Sequence, residues 1–231
     1  MKITTLNLRH GGGQRIDLCI EFLVAAQSDV FVLTEFRNNQ NGTKLKQYLK
    51  DHGFNFFFSP TEDSNNSILI ATRTNAYLDR IKDLTENDKH RACLVTVDGV
   101  KIMGVYFAQK NEKQTLFKTI LDDENELLNQ KSLIIGDFNT GLPFQDESKE
   151  SFYCVKEFYR LNEVGFIDAW RSRHPDKFEY SWFSKADNGF RIDHAFVTES
   201  FNSLISSVEY DHFPRNKKIT DHSALLIDLN Y

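Results

Sequence analysis

The chain has 231 residues, 40% hydrophobic and 26% charged, which excludes a disordered or fibrous protein and fits a single globular domain over 1–231. A formal net charge of -5 excludes a protein that coats polyanions through overall basicity, although basic residues can still gather at a cleft. Nothing approaches the roughly 20 apolar residues of a spanning helix. "MKITTLNLRH" enters a strand with no apolar leader, and Cys19, Cys93 and Cys154 are odd in number and far apart, which reads as free thiols. A cytoplasmic protein with no membrane association is expected, and nothing points to an obligate protein partner.

In chain order, residues 2–7 read as a strand. "QRIDLCIEFLVAA" carries Ile16, Cys19, Ile20, Leu23 and Val24 at helical spacing. "DVFVLTEF" is a buried strand, followed by a weaker helix near 42–51. "FNFFFSP" and "NSILIATRT" read as strands, and "RACLVTVDG" with "VKIMGVYFA" as a hairpin turning at Asp98-Gly99. An amphipathic helix over 112–130 precedes the strand "KSLIIGDFNTG". A helix near 150–163 ends before Gly165. The strands "FEYSWFS", "GFRIDHAFVTE", "SVEYDHF" and "HSALLIDLN" follow. Helices alternating with strands early and hairpins later predict two packed sheets with helices on their outer faces.

Polar residues gather at the predicted strand ends. Asn7 closes the first strand, Glu35 the second and Tyr106 the "IMGVYF" strand. Asp137 and Asn139 close the next, Asp193 lies within "FRIDHAFV", and Asp221-His222 opens the last. Alone, each reads as a turn former or a solvated side chain. Together they matter, because neighbouring strand ends converge on one edge of a sheet. Glu35, Asp137 and Asp221 would repel one another there unless a cation sat among them. Oxygen-only ligands suit a hard ion such as Mg²⁺ or Mn²⁺. His222 titrates near neutral pH, and Asp193 is placed to hold its tautomer. That combination describes hydrolysis at phosphorus.

The segments "TLNLR", "VLTEFR", "GVYFA", "IIGDFNTG", "FRIDHAFV" and "TDHSALL" occur in the order and approximate spacing of the endonuclease/exonuclease/phosphatase superfamily. The chain resembles that superfamily from Lys2 to Leu229, and its exonuclease III-type apurinic endonucleases most. The resemblance implies an α+β fold, the deoxyribonuclease I-like four-layer α/β/β/α sandwich, with the site at one end of the paired sheets. It implies a metal set drawn from Asn7, Glu35, Asp137, Asn139 and Asp221, with Glu35 the chief ligand. Asp137 would orient or deprotonate the attacking water, and Asn139 would fix that water or the phosphate. His222, polarised by Asp193, would stabilise the developing charge, and Tyr106 would contact the phosphate or leaving oxygen. Asp137 and His222 can each be drawn as the general base.

For substrate binding, Arg9, Arg37, Arg215, Lys217 and Lys218 follow or precede site residues within a few positions and would form a basic rim. Trp182 and Phe190 match positions where exonuclease III-type enzymes place apolar side chains around an extruded sugar. Arg171 and Arg173 read as structural. Ala108 stands in "YFAQ" where the family has Pro, and the segment after "GDFN" is shorter than in exonuclease III. The expected activity is a Mg²⁺- or Mn²⁺-dependent DNA nuclease, an exonuclease or abasic-site endonuclease of DNA repair. A small-molecule phosphoesterase of the same fold and a catalytically silent binding protein are the alternatives, and the complete residue set argues against the last.

Overall fold

Apolar runs without alternation, such as Val30–Leu33 and Leu133–Ile135, require cover on both faces of their sheets. The computed structural model, which describes residues 1–62, 65–122 and 124–230, supplies that cover in four layers. The strands are β1 (Lys2–Asn7), β2 (Val30–Phe36), β3 (Asn55–Phe58), β4 (Ser67–Thr72), β5 (Ala76–Asp79), β6 (Ala92–Val97), β7 (Val100–Tyr106) and β8 (Ser132–Asp137). They continue with β9 (Ile167–Asp168), β10 (Trp182–Phe183), β11 (Gly189–Phe190), β12 (Asp193–Val197), β13 (Ile205–Asp211) and β14 (Ala224–Leu229). The helices are α1 (Ile16–Ala26), α2 (Gln40–Asp51), α3 (Gln114–Asp122), α4 (Glu124–Leu128), α5 (Val155–Glu163), α6 (Glu199–Asn202) and α7 (Phe213–Asn216).

One sheet runs β13-β14-β1-β2-β4-β3 and the other β5-β6-β7-β8-β12-β9, each with one parallel pair, β1/β2 and β7/β8. The inner faces meet in an aliphatic core that includes Ile3, Val32, Ile70, Val95, Ile102 and Ile135, all fully buried. Outside the first sheet, Cys19 and Leu23 of α1 and Leu45 and Leu49 of α2 cover Phe31, Leu33 and Phe36. Outside the second, Phe117 and Ile120 of α3 and Phe158 and Leu161 of α5 pack with Phe107, Phe138 and Phe196. The two packed sheets with outer helices expected from the element order are observed, in the four-layer α/β/β/α arrangement that the resemblance implies.

Several local expectations change. The buried stripe of α1 is Ile16, Cys19, Phe22, Leu23 and Ala26, while Val24 is 49% exposed. The helix expected over 112–130 begins as a 3-10 turn at Lys110–Lys113 and continues as α3 and α4; residue 123 lies outside the described residues. "GFRIDHAFV" is two strands rather than one, because Arg191 leaves the ladder. Its guanidinium is wholly buried, held by Asp146 at 2.7 Å and Asp168 at 2.7 Å over the Trp170 ring. The Asp98-Gly99 turn is as read: both residues are left-handed, at φ 48° and 79°, which suits a two-residue hairpin.

At Gly104 of β7 the two sheets pack without room for a side chain, since a Cβ would lie 2.9 Å from both Ile68 Cγ2 and Val32 Cγ1. Gly104→Ala overpacks that interface. We expect a loss of about 1–3 kcal/mol in urea unfolding; an unchanged midpoint would show that the sheets have room to part.

Candidate active site

Strand register assembles the site. In the second sheet Tyr106 pairs with Asp137, and Asp137 with Asp193, so three site residues stand in one row across β7, β8 and β12. In the first sheet Asn7 pairs with Thr34, the residue before Glu35. A bulge at Glu35 interrupts the β2–β4 register and puts that residue at φ 53°, turning its side chain out of the ladder. The Asn7 Nδ2 then donates to Glu35 Oε1 at 3.2 Å and to Asp137 Oδ2 at 3.0 Å, joining the two sheets across the site. Glu35 Oε2 accepts from the backbone N–H of His10 at 2.7 Å.

Asp193 Oδ2 lies 2.8 Å from His222 Nδ1, and both groups are buried. This leaves Nε2 as the ring nitrogen available to the cavity that His222 lines. Asp221 is partly exposed; its Oδ2 accepts from Trp182 Nε1 at 3.4 Å and lies 3.5 Å from Arg9 Nε. The Tyr106 hydroxyl accepts from Asn66 Nδ2 at 3.4 Å, and burial, with Glu35 and Asp137 nearby, pushes the phenol well above its usual range.

Asn139 departs from simple alternation. The β8 ladder ends at Asp137, and Asn139 sits in the left-handed region at φ 51°. Its N–H donates to Asp137 Oδ1 at 2.9 Å, its Nδ2 to the Phe107 carbonyl at 2.8 Å, and its Oδ1 accepts from Gln109 Nε2 at 2.6 Å. Both ends of the Asn139 amide are thus engaged, while Phe138 turns into the core and stacks on Phe107.

These groups surround a cavity of about 400 Å³ lined by Glu35, Asp137, Asn139, Asp221 and His222. Trp182, Phe190 and Ile192 form an aromatic and apolar wall, with the Trp182 and Phe190 rings 5.7 Å apart. Ser151–Tyr153 continue it, and the buried Glu147 holds them by accepting from the N–H groups of Ser151 at 2.7 Å and Phe152 at 3.0 Å. A larger cavity of about 770 Å³ at the opposite end of the sandwich, beside β3 and β5, contains none of this chemistry.

The basic residues divide. Arg9 stands on the Asp221 carboxylate, and Arg37 holds Asn66, at 2.7 Å, and His10, at 3.1 Å. Arg215, Lys217 and Lys218 do not line the cavity. Arg215 donates to the Tyr180 carbonyl and stacks on Phe183, 4.6 Å from its ring, and Lys217 sits 6.0 Å from the Phe213 ring. Arg171 and Arg173 are structural, tied to Asp146 and to Asn202. In their place the lining contains Lys110 and Lys113, with Gln109, which the sequence reading did not select. They sit in the polar stretch "QKNEKQ", whose only signal was its position just after Tyr106-Phe107.

The donor set suits a hard cation. Burial, then Asp193 and Glu35, push the Asp137 carboxyl up to about 7, against the opposing pull of His222. A buried cluster of like charges with an oxygen-rich lining is where positive charge is most favourable. Asp137, Asp193 and His222 also bring ligand atoms within 4.8 Å of one another. However, His222 Nδ1 and Asp193 Oδ2 already satisfy each other, so the oxygens of Asn7, Glu35, Asp137 and Asp221 make the better set.

Comparisons with known proteins bear on the family and the fold. The sequence model described as "Endonuclease/Exonuclease/phosphatase family" matches residues 4–222, a span that holds every site residue above. The chain belongs to the endonuclease/exonuclease/phosphatase family. This is a family of enzymes that hydrolyse phosphoesters. Among solved structures, the 3′ phosphatase NExo (D146N) from Neisseria, bound to product DNA hairpin, shares the fold with a TM-score of 0.86 at 22% identity over 100% of both chains. A 3′-5′ exonuclease from Neisseria meningitidis gives 0.83 at 22% identity, also over 100% of both chains. An AP endonuclease from Archaeoglobus fulgidus gives 0.83 at 17% identity, again over 100% of both. Among the described residues no helix is long and apolar enough to cross a membrane.

Burial lowers the His222 imidazole, but Asp193, then Asp137 and Asp221, outweigh it and push it up to about 10. The folded protein therefore holds a proton that the unfolded chain releases near its ordinary value of 6.5. The stability this pair contributes is complete below about pH 6.5 and is lost as pH rises toward 10. In metal-free protein, the His222 Cε1–Hε1 resonance should still report imidazolium at pH 8. A midpoint near 6.5 would mean that the ring is not held as a cation.

Proposed function

We propose that the chain is a single-domain, divalent-cation-dependent DNA phosphodiesterase, a cytoplasmic exonuclease or abasic-site endonuclease of DNA repair. The observation that carries this reading is the joining of Glu35, Asp137 and the Asp193–His222 pair around one cavity with an aromatic wall. The DNA-bound 3′ phosphatase and the AP endonuclease that share the fold support DNA as substrate.

Asn7, Glu35, Asp137 and Asp221 would hold Mg²⁺ or Mn²⁺, which when bound supplies neutralising charge and a more acidic water. Asp137, held at the end of β8 by the Asn139 N–H and the Asn7 amide, is the group that orients the attacking water and takes its proton. His222, kept as imidazolium by Asp193, is the wrong protonation state for a base and the right one to donate Nε2–H to the phosphate. Tyr106, kept neutral, donates its O–H to a phosphate or leaving oxygen. Asn139, braced by Gln109 and Phe107, keeps Asp137 aimed through its own N–H. Trp182 and Phe190 stack against sugar or base. Arg9 and Arg37 meet the backbone at the rim, with Arg215, Lys217 and Lys218 further out for the continuing strand.

The purified protein should cleave end-labelled duplex, single-stranded or abasic-site DNA with Mg²⁺ and stop in EDTA. Asp137→Asn and His222→Ala should each lower turnover by about 10³-fold or more with the fold retained. Release of phosphate from an inositol-phosphate panel, with every DNA untouched, would replace the nuclease reading with the small-phosphoester one. Activity that persists in EDTA would remove the cation from the mechanism.

A further inference from the structure

The mechanism leaves one buried charge unused. Lys113, in the turn between β7 and α3, is 1% exposed, yet it lines the same cavity as Asp137 and His222. Its Nζ donates to the backbone carbonyl of Asn139, and among the described residues it has no ion-pair partner. An ammonium carries three donors, and here one is met. Burying an ammonium with unmet donors is unfavourable unless something else completes it. Asp137 is the carboxylate whose charge acts on it, but the two form no ion pair.

The site's other groups say what would complete it. They are arranged around a phosphate, a compact ammonium is a good point-charge partner for a phosphate oxygen, and Gln109 and Lys110 add two more donors to the same lining. We propose that Lys113 is a substrate-binding residue that presents its free N–H groups to a phosphate oxygen in this cavity, pinned for the purpose by the Asn139 carbonyl. The inference rests on the phosphoester-hydrolase reading of the site and adds to it a residue that holds the substrate's anion.

A purely structural lysine would brace the Asn139 turn without touching phosphate, so the test reads phosphate directly. Inorganic phosphate, titrated into the wild-type protein, should shift the Lys113 Cε–Hε resonances. Lys113→Met should weaken phosphate affinity, and raise KM for a cleaved DNA, by tenfold or more. Lys113→Arg, which keeps the charge, should keep phosphate affinity within a few-fold. Unmoved resonances in the wild type, or unchanged phosphate affinity in a folded Lys113→Met, would overturn the proposal. Its failure is distinct from failure of the parent reading: in the first case phosphoesters are still hydrolysed while phosphate affinity ignores Lys113, and in the second the wild type hydrolyses none.

Discussion

Everything chemical in this molecule depends on the pairing register of β8. The strand lies between β7 and β12, and its last residue, Asp137, is placed beside Tyr106 on one side and Asp193 on the other. A slip of β8 by one residue would turn Asp137 to the opposite face, away from Tyr106 and Asp193. What prevents the slip is apolar and lies away from the site. Leu133 and Ile135 face the core between the sheets, and Ile134 faces α3 and α5. Gly136 tightens the lock, because any Cβ there would meet the Val105 carbonyl oxygen at 2.1 Å. Dry packing thus holds carboxylates together that would otherwise move apart.

That crowding separates the protonation states of the groups. Asp137 faces Asp193 and Glu35, and is pushed up; His222 faces three carboxylates and is pushed up further. A carboxyl near neutrality beside a persistent imidazolium is the arrangement by which neighbouring groups take opposite roles in proton transfer. Asn7 links the halves, since its amide N–H groups lie between Glu35 and Asp137, one from each sheet. The remote network of Arg191, Asp146 and Asp168 works by the reverse principle, full pairing in the interior, and holds the chain just before Asp193.

The layers and most site residues were legible because they follow from period and composition. Apolar runs such as "LII" mark strands covered on both faces, and a polar residue at the end of such a run is conspicuous. Asn7, Glu35, Tyr106 and Asp137 were found in this way, Asp193 within a predicted strand and His222 at the opening of one. What was not legible depends on the third dimension. Lys113 stands at the start of the amphipathic helix expected over 112–130, where nothing in the sequence marks it as buried, and only the docking of the turn before α3 buries it. Arg215, Lys217 and Lys218 lie close to Asp221 along the chain, but α7 and the Phe183 ring direct them elsewhere. The short strands β5 and β9 carry too few residues for any period to show.

The loop after β1 shows how far the fold goes to shape its polar end. Arg9, His10, Gly11, Gly12 and Gly13 all have positive φ, between 50° and 78°, a left-handed run in which only three of five residues are glycine. Glu35 and Asn139 are left-handed as well, at 53° and 51°. Such conformations for residues with a Cβ are unfavourable by on the order of 1 kcal/mol or more each, and persist only where surrounding contacts dictate them. Here they do: Gly11 N–H bonds the Glu35 carbonyl at 2.8 Å, Gly12 N–H the Leu8 carbonyl at 2.9 Å, and the turn carries His10 N–H onto the Glu35 carboxylate. The glycines let the chain reverse where a side chain would press on Arg37 or Ile16. Left-handed backbone at Arg9, His10, Glu35 and Asn139 therefore lies on the edge that carries the carboxylates. The sandwich acts as the support and its strained rim as the working surface, so substitutions at the rim can alter the chemistry while the core that holds the register stays intact.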